Sequence, residues 1–306
     1  MITVKAVSKS FNGKKAVDHI SFQANDQEIF VLLGTSGCGK TTTLKMINRL
    51  VEADSGSIFI NGENIRNRKV EELRMGIGFV MQHSGLFPHY TIQQNIAVVP
   101  ELLKWNRKKT EKRTYELMDK LHLTEDILSR YPHELSGGQQ QRVGIARALI
   151  ADTPVLLMDE PFGALDNITK ADIHSEFKSL EELQNKTIIL VTHDVQEAFE
   201  LGHRICLMDQ GKIIQTGTPK EMLYHPKNDF VRDFFAESRL LLEYKVTTFQ
   251  DIHPFLTPES YYYEFADTKN SSVWNILQRL SLNRNNSETD EKLIRAFNEY
   301  RKLQMI

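Results

Sequence analysis

Cysteine is nearly missing from this chain. Two residues in 306 cannot supply a disulfide framework. Cys206 lies in an apolar run and reads as a small buried hydrophobe, whereas Cys38 sits inside a glycine-rich loop. Long apolar runs are absent too: "VLLM" and "TIILV" have the length of buried strands, well short of the roughly 18 residues a spanning helix needs. The chain is therefore not expected to cross a bilayer by itself. Its amino terminus, "MITVKAVSKSF", alternates like a strand and lacks the apolar core of a secretory signal, which predicts a cytosolic location. Nor does one sign of charge dominate. With 38 Lys and Arg against 40 Asp and Glu the formal net charge is −2, so there is no basic footprint for nucleic acid.

What is present is ordinary globular texture, 41% hydrophobic and 25% charged, in a length that allows one or two domains. Strand-like runs recur at "ISFQA", "EIFVLLG", "SIFING", "IGFVMQ", "VLLMDE", "TIILVTH" and "RICLMD", separated by helix-like stretches, and this alternation predicts an α/β sheet. Residues 91–150 carry almost no strand signal. Their periodic segments near Glu111–Leu123 and Gly137–Ile150 predict an inserted helical subdomain. A soft boundary falls near Ser238, giving a first domain of 1–238 and an extension of 239–306. In the extension Leu293, Ile294, Phe297 and Tyr300 have the spacing of an amphipathic helix that docks on something.

The segment "GTSGCGKT" fits the pattern G-x-x-x-x-G-K-[ST], with Gly34, Gly39, Lys40 and Thr41 at the fixed places. Glycines let backbone N–H groups turn toward phosphate oxygens, and the helix that follows adds its positive end. Lys40 would reach the β- and γ-phosphates and the Thr41 hydroxyl would ligate Mg²⁺. The apolar strand "VLLMDEP" ends in two acids. Asp159 would hold the same ion, and Glu160 would orient and deprotonate an attacking water. His193 ends the strand "TIILVTH", where a neutral imidazole can hold a γ-phosphate and the water, although a lone histidine there also reads as structural. Gln82, at the end of "IGFVMQ", suits a residue reporting on Mg²⁺ or the water; alone it would be a solvated turn residue. Cys38, beside a helix amino terminus that favours thiolate, is expected to be alkylated unless ATP protects it, or else to be inert.

A second glycine motif, "LSGGQ", opens the helix-like "QQQRVGIARAL". Ser136 and the following glycines offer a hydroxyl and N–H groups at a helix start, which suits an anion or a plain helix cap. The ordered set of "GTSGCGKT", Gln82, "LSGGQ", "VLLMDE", "GALD" and His193 resembles the nucleotide-binding subunit of ATP-binding cassette (ABC) transporters over roughly residues 1–238. The resemblance implies a P-loop NTPase core with an antiparallel β subdomain, an inserted helical subdomain and ATP with Mg²⁺ as cofactors. It implies that Phe11 stacks on adenine and that the phosphate loop is Gly34, Thr35, Ser36, Gly37, Cys38, Gly39, Lys40, Thr41 and Thr42. Thr41, Gln82 and Asp159 would serve the metal, Glu160 would be the base, His193 the switch and Asp166 a dimer contact. Ser136, Gly137, Gly138 and Gln139 would then cover the γ-phosphate held by a facing subunit.

The stretches "GCGKTTTLKMINRL", "GLFPHYTIQQNIAVVPELLKW" and "PFGALDNITK" are similar to ATPases of bacterial importers for quaternary-amine osmoprotectants such as glycine betaine, choline and carnitine. This likeness implies a homodimer on the cytoplasmic membrane face, working with permease subunits and a substrate-binding protein or fused binding domain. Leu86, Phe87, Pro88 and Tyr90 would grip a helix of the permease as exposed apolar anchors. Other readings are another solute, an exporter's ATPase, or a non-transport cassette ATPase. Thr35 and Asn167 stand where this family often has proline. Residues beyond Ser238 number only about half of what a tandem pair of CBS regulatory modules needs, so a short docking extension is expected instead.

Overall fold

The computed structural model describes residues 1–82, 84–163, 170, 174, 177–256, 269–282 and 287–304. Among the described residues ten strands form two sheets: β1 (Ile2–Phe11), β2 (Lys14–Ala24), β3 (Ile29–Gly34), β4 (Ser55–Ile60), β5 (Glu63–Asn64), β6 (Ile77–Val80), β7 (Val155–Asp159), β8 (Thr187–Thr192), β9 (Arg204–Asp209) and β10 (Lys212–Gly217). The first sheet is antiparallel, in the order β2-β1-β4-β5. The second runs β10-β9-β3-β8-β7-β6, parallel except for the edge hairpin β9–β10.

Side-chain alternation sorts the parallel strands onto two cores. Val31, Leu33, Leu156, Met158, Ile188, Leu190, Ile205 and Leu207 face one apolar cluster. Phe30, Leu32, Val155, Leu157, Ile189, Val191, Cys206 and Met208 face the other, together with β1, β2 and β4. Being buried on both faces is why these strands read as unbroken apolar runs. The inserted helices Ile92–Leu102, Arg107–Lys120 and Gly137–Leu149 pack on the first cluster. Two of them open with reciprocal capping boxes, Thr91 with Gln94 and Ser136 with Gln139, a spacing visible in "TIQQ" and "SGGQ".

Two strands escape the sequence reading. β5 is only two residues long, and β10 is an edge strand of half-buried residues without clean alternation. A usable signal was Gln210-Gly211, both at positive φ (45° and 79°), as a tight two-residue hairpin demands. Beyond residue 238, Leu242, Phe249, Ile252, Val273, Ile276, Leu293, Phe297 and Tyr300 join the first cluster, so this part of the chain packs on the cassette. The helix Ser287–Gln304 buries Leu293, Phe297 and Tyr300 as its spacing predicts. Ile294 is the exception at 37% exposure, because it lies one residue off that stripe.

Candidate active site at the strand ends

Parallel pairing brings the carboxyl ends of β3, β8, β7 and β6 to one rim, where open α/β sheets bind ligands. The phosphate loop leaves β3 and enters the helix Lys40–Ile47 through Gly39, at φ 105°. A Cβ on Gly39 would stand 2.4 Å from the Ala16 carbonyl, and one on Gly34 would stand 2.1 Å from that of Met208. These two glycines are thus required by close backbone approach as well as by dihedral. Lys40 is buried, and its ammonium donates to the carbonyls of Gly34 (2.8 Å) and Thr35 (2.9 Å).

Across the rim the Thr41 hydroxyl donates to Asp159 Oδ1 at 2.7 Å. Burial raises the pKa of Asp159 against the opposing pull of that hydroxyl, so its charge is held at a cost that a cation would relieve. One hydroxyl and one carboxylate suit Mg²⁺, a hard ion that takes few protein oxygens and keeps water or phosphate as its other ligands. Glu160 adopts φ 46°, in the left-handed region that costs a non-glycine residue about 1–2 kcal/mol. Its amide still donates to Val191 O at 2.9 Å, which ties the turn to β8. This turn directs the carboxylate to two partners: Gln82 Nε2 donates to Glu160 Oε2 at 2.9 Å, and His193 Nδ1 lies 3.1 Å from the same oxygen. Ala16, Ser36, Gly37, Gly39, Lys40 and Thr42 complete a cleft of 430 Å³.

The structure therefore unites Lys40, Thr41, Gln82, Asp159, Glu160 and His193, which are far apart in sequence. It keeps Phe11 outside that cleft: the ring is exposed at the end of β1, with Lys9 Nζ 5.4 Å from its centroid. The Ser136–Gln139 segment does not line the cleft of its own chain either. Ser136 Oγ accepts from Gln139 N at 3.3 Å, and Ser136 N donates to Gln139 Oε1 at 3.0 Å, so both side chains cap their helix on an exposed surface. Asp166 and Asn167 lie outside the described residues. The reactive-thiol expectation for Cys38 is corrected: it is 2% exposed, and burial pushes its pKa up despite Lys40 Nζ at 3.7 Å.

Beside the cleft the loop following Gln82 presents Phe87, Pro88 and Tyr90 to solvent, while Leu86 turns half inward against the core. Sequence reasoning missed what holds this loop. Buried Asn95 accepts from Phe87 N (2.7 Å) and donates to the carbonyls of Phe87 (3.1 Å), Tyr90 (3.1 Å) and Thr91 (3.0 Å). Arg147, from the helix headed by Ser136, donates to Ser84 O (2.9 Å) and Gly85 O (2.8 Å). Its guanidinium also lies 5.9 Å from the Phe87 ring centroid. No local pattern could have announced Arg147, whose carbonyl partners lie 62 and 63 residues away, and those of Asn95 lie four to eight residues back in an irregular loop without a periodic signal.

Comparison with known proteins agrees with this geometry. The family model described as "ABC transporter" matches residues 17–163. The glycine betaine uptake system ATP-binding protein YehX of Escherichia coli (strain K12) is 53% identical over 78% of this chain and 78% of its own length. The glycine betaine/carnitine/choline transport ATP-binding protein OpuCA of Bacillus subtilis (strain 168) is 53% identical over 79% of this chain, which spans only 64% of that relative. Among solved structures, the dimeric post-hydrolysis state of the ATP-binding cassette MJ0796, bound to ADP and Pi, superposes with a TM-score of 0.65. It is 32% identical and covers 71% of this chain and 98% of that one. No described helix is long and apolar enough to cross a membrane. The strand-end cluster, the fold and these relatives converge on one assignment: the chain belongs to the ABC transporter ATP-binding family.

Proposed function

We propose that this chain is the ATP-hydrolysing subunit of an ABC importer for a quaternary-amine solute such as glycine betaine, choline or carnitine. The observation that carries the hydrolytic part is the paired geometry at the rim: Thr41 against Asp159, and Glu160 between Gln82 and His193. Thr41 and Asp159 would hold Mg²⁺, which supplies charge neutralisation between the β- and γ-phosphates. Lys40 would neutralise the same phosphates. Glu160 accepts a proton from the attacking water, and Gln82 and His193 fix the carboxylate and hence the direction of attack. Phe11 is proposed to stack on the base.

The exposed Ser136–Gln139 segment supports a composite site, in which the helix start of one chain covers the nucleotide of its partner in a homodimer. The dimeric form of MJ0796 supports the same reading. Phe87, Pro88 and Tyr90 are proposed as anchors for a permease helix at the cytoplasmic membrane face, working with a substrate-binding protein. The solute reading rests on relatives at about half identity that are named for these amines, against 41% for a sulfate/thiosulfate import protein of Pseudomonas syringae.

A reconstituted complex with membrane and binding subunits tests the proposal. ATPase stimulation by betaines, and none by amino acids or sugars, is expected; the reverse pattern would sink the solute assignment. A mixed dimer of Ser136→Arg in one chain and Lys40→Ala in the other should keep one whole site. Two lesions in one chain should damage both sites, and equal behaviour of the two arrangements would count against the composite site.

A further inference from the structure

The strand end that carries His193 rests on a buried acid that no motif reading singled out. Glu197 lies in the first turn of the helix Val195–Leu201 and is 1% exposed. Thr192 Oγ1 donates to its Oε2 at 3.1 Å, and the same hydroxyl accepts the Asp194 N–H at 2.9 Å. The two residues tied together in this way are the ones that flank His193. The other oxygen, Oε1, is buried and has no hydrogen-bond partner among the described residues.

An ionised carboxylate in this place would lose its hydration without gaining a cation. Lys170, a positive group acting on it, is already engaged by Asp194 at 3.1 Å. Asp194 on its own helix cap and Glu160 across the rim carry charge of the same sign. Burial above all, with repulsion from Asp194 and Glu160, pushes the Glu197 pKa up to about 8 against the opposing pull of Thr192 and Lys170. The acid is therefore neutral near pH 7, which removes the conflict and supplies an O–H in place of a buried charge.

We propose that Glu197, as a neutral carboxylic acid, is a positioning residue for His193, fixing the Thr192–Asp194 turn so that the imidazole meets Glu160. The role rests on the function proposed above for His193. Ionisation of Glu197 would put a bare charge beneath that turn and loosen it, so the device also sets an alkaline limit on turnover.

The experiment uses the full chain with saturating Mg²⁺ and ATP, from pH 6 to 9.5, and four variants. Glu197→Gln, a neutral shape mimic, is expected to retain turnover and to lose the decline centred near pH 8. Glu197→Ala is expected to lower kcat about tenfold with KM for ATP unchanged, as small misplacements of a catalytic group do. Should that variant not fold, Glu197→Asp, too short to reach Thr192, replaces it. Adding Glu197→Ala to His193→Ala should bring no further loss, because residues acting as one unit are not additive. Equal damage from Gln and Ala, an alkaline limb that survives in Glu197→Gln, or losses that multiply in the double variant would overturn the proposal. If His193→Ala alone keeps wild-type turnover, the switch role fails, and the His193 ring resonances then decide the positioning claim. A shift in Glu197→Ala that is absent in Glu197→Gln upholds it, and unmoved resonances reject it.

Discussion

The nucleotide cleft and the chain beyond residue 238 are built on opposite plans. In the cleft, polar groups stand at the ends of buried strands, and their partners are each other: Thr41 with Asp159, Gln82 and His193 with Glu160. In the extension the partners are mostly apolar and the polar exceptions are sealed in. Glu243 is fully buried between Arg239 (2.7 Å) and Arg301 (2.6 Å), Tyr244 stacks on Phe297 with ring centroids 4.1 Å apart, and the Tyr224 hydroxyl meets Thr247 at 3.1 Å. Among the contacts that join the extension to the cassette is Glu200, which pairs with Lys245 of the extension and with His174 at 2.8 Å. Burial works against its charge, yet these two partners hold its carboxyl at about 2. The cleft gathers charge and a strained Glu160 backbone at one rim, whereas the extension uses its charges to fix packing.

That contrast predicts mutations that separate rate from stability. The largest effect is expected at Glu160: with the general-base role proposed for it, Glu160→Gln should slow hydrolysis by about 10²–10⁴ while leaving ATP binding and the melting curve near wild type, since no packing changes. Single-turnover hydrolysis beside nucleotide titration checks this. A variant that loses binding as strongly as rate would show that Glu160 is mainly structural. In the extension, Phe297→Ala should cost about 3–5 kcal/mol of stability, because a fully buried ring leaves a cavity, with KM for ATP unmoved. Denaturant unfolding reads the first quantity and steady-state kinetics the second.

A third case is the loop held by Asn95. Asn95→Ala would strand the Phe87 amide and the Tyr90 carbonyl, while the Phe87 and Thr91 carbonyls keep backbone donors, and should cost about 1–3 kcal/mol. Its signature would be a loss of permease stimulation larger than any loss of basal ATPase. Equal losses of both would mean that the loop serves the cleft instead. The smallest effect is expected at Cys38. Burial keeps its thiol protonated at neutral pH, so iodoacetamide should label it more slowly than a free thiol, with or without ATP. Rapid labelling that ATP blocks would restore the reactive reading.

Much of the cleft's arrangement was legible beforehand because its polar groups stand in short motifs at strand ends. "GTSGCGKT" and "VLLMDE" each name their residues through local spacing, and the apolar run before each announces the strand. The docked helix Ser287–Gln304 was legible for a similar reason, its stripe of Leu293, Phe297 and Tyr300. What stayed hidden needed a partner from elsewhere. The Cys38 thiol lost its expected reactivity to a burial that composition cannot show, and Ile294 turned outward by a single helical position.

The sequence by itself determined most of the strands, the phosphate loop and the acid pair, because each depends on periodicity or on spacing within a few residues. Only the tertiary structure decided which groups share an atom. Glu160 Oε2 meets Gln82 from 78 residues earlier in the chain, Arg147 holds the Ser84 carbonyl across 63 residues, and Glu197 lies buried beneath the turn of His193. Such contacts follow from sheet order and from burial, where the low dielectric sets both the partner and the charge state.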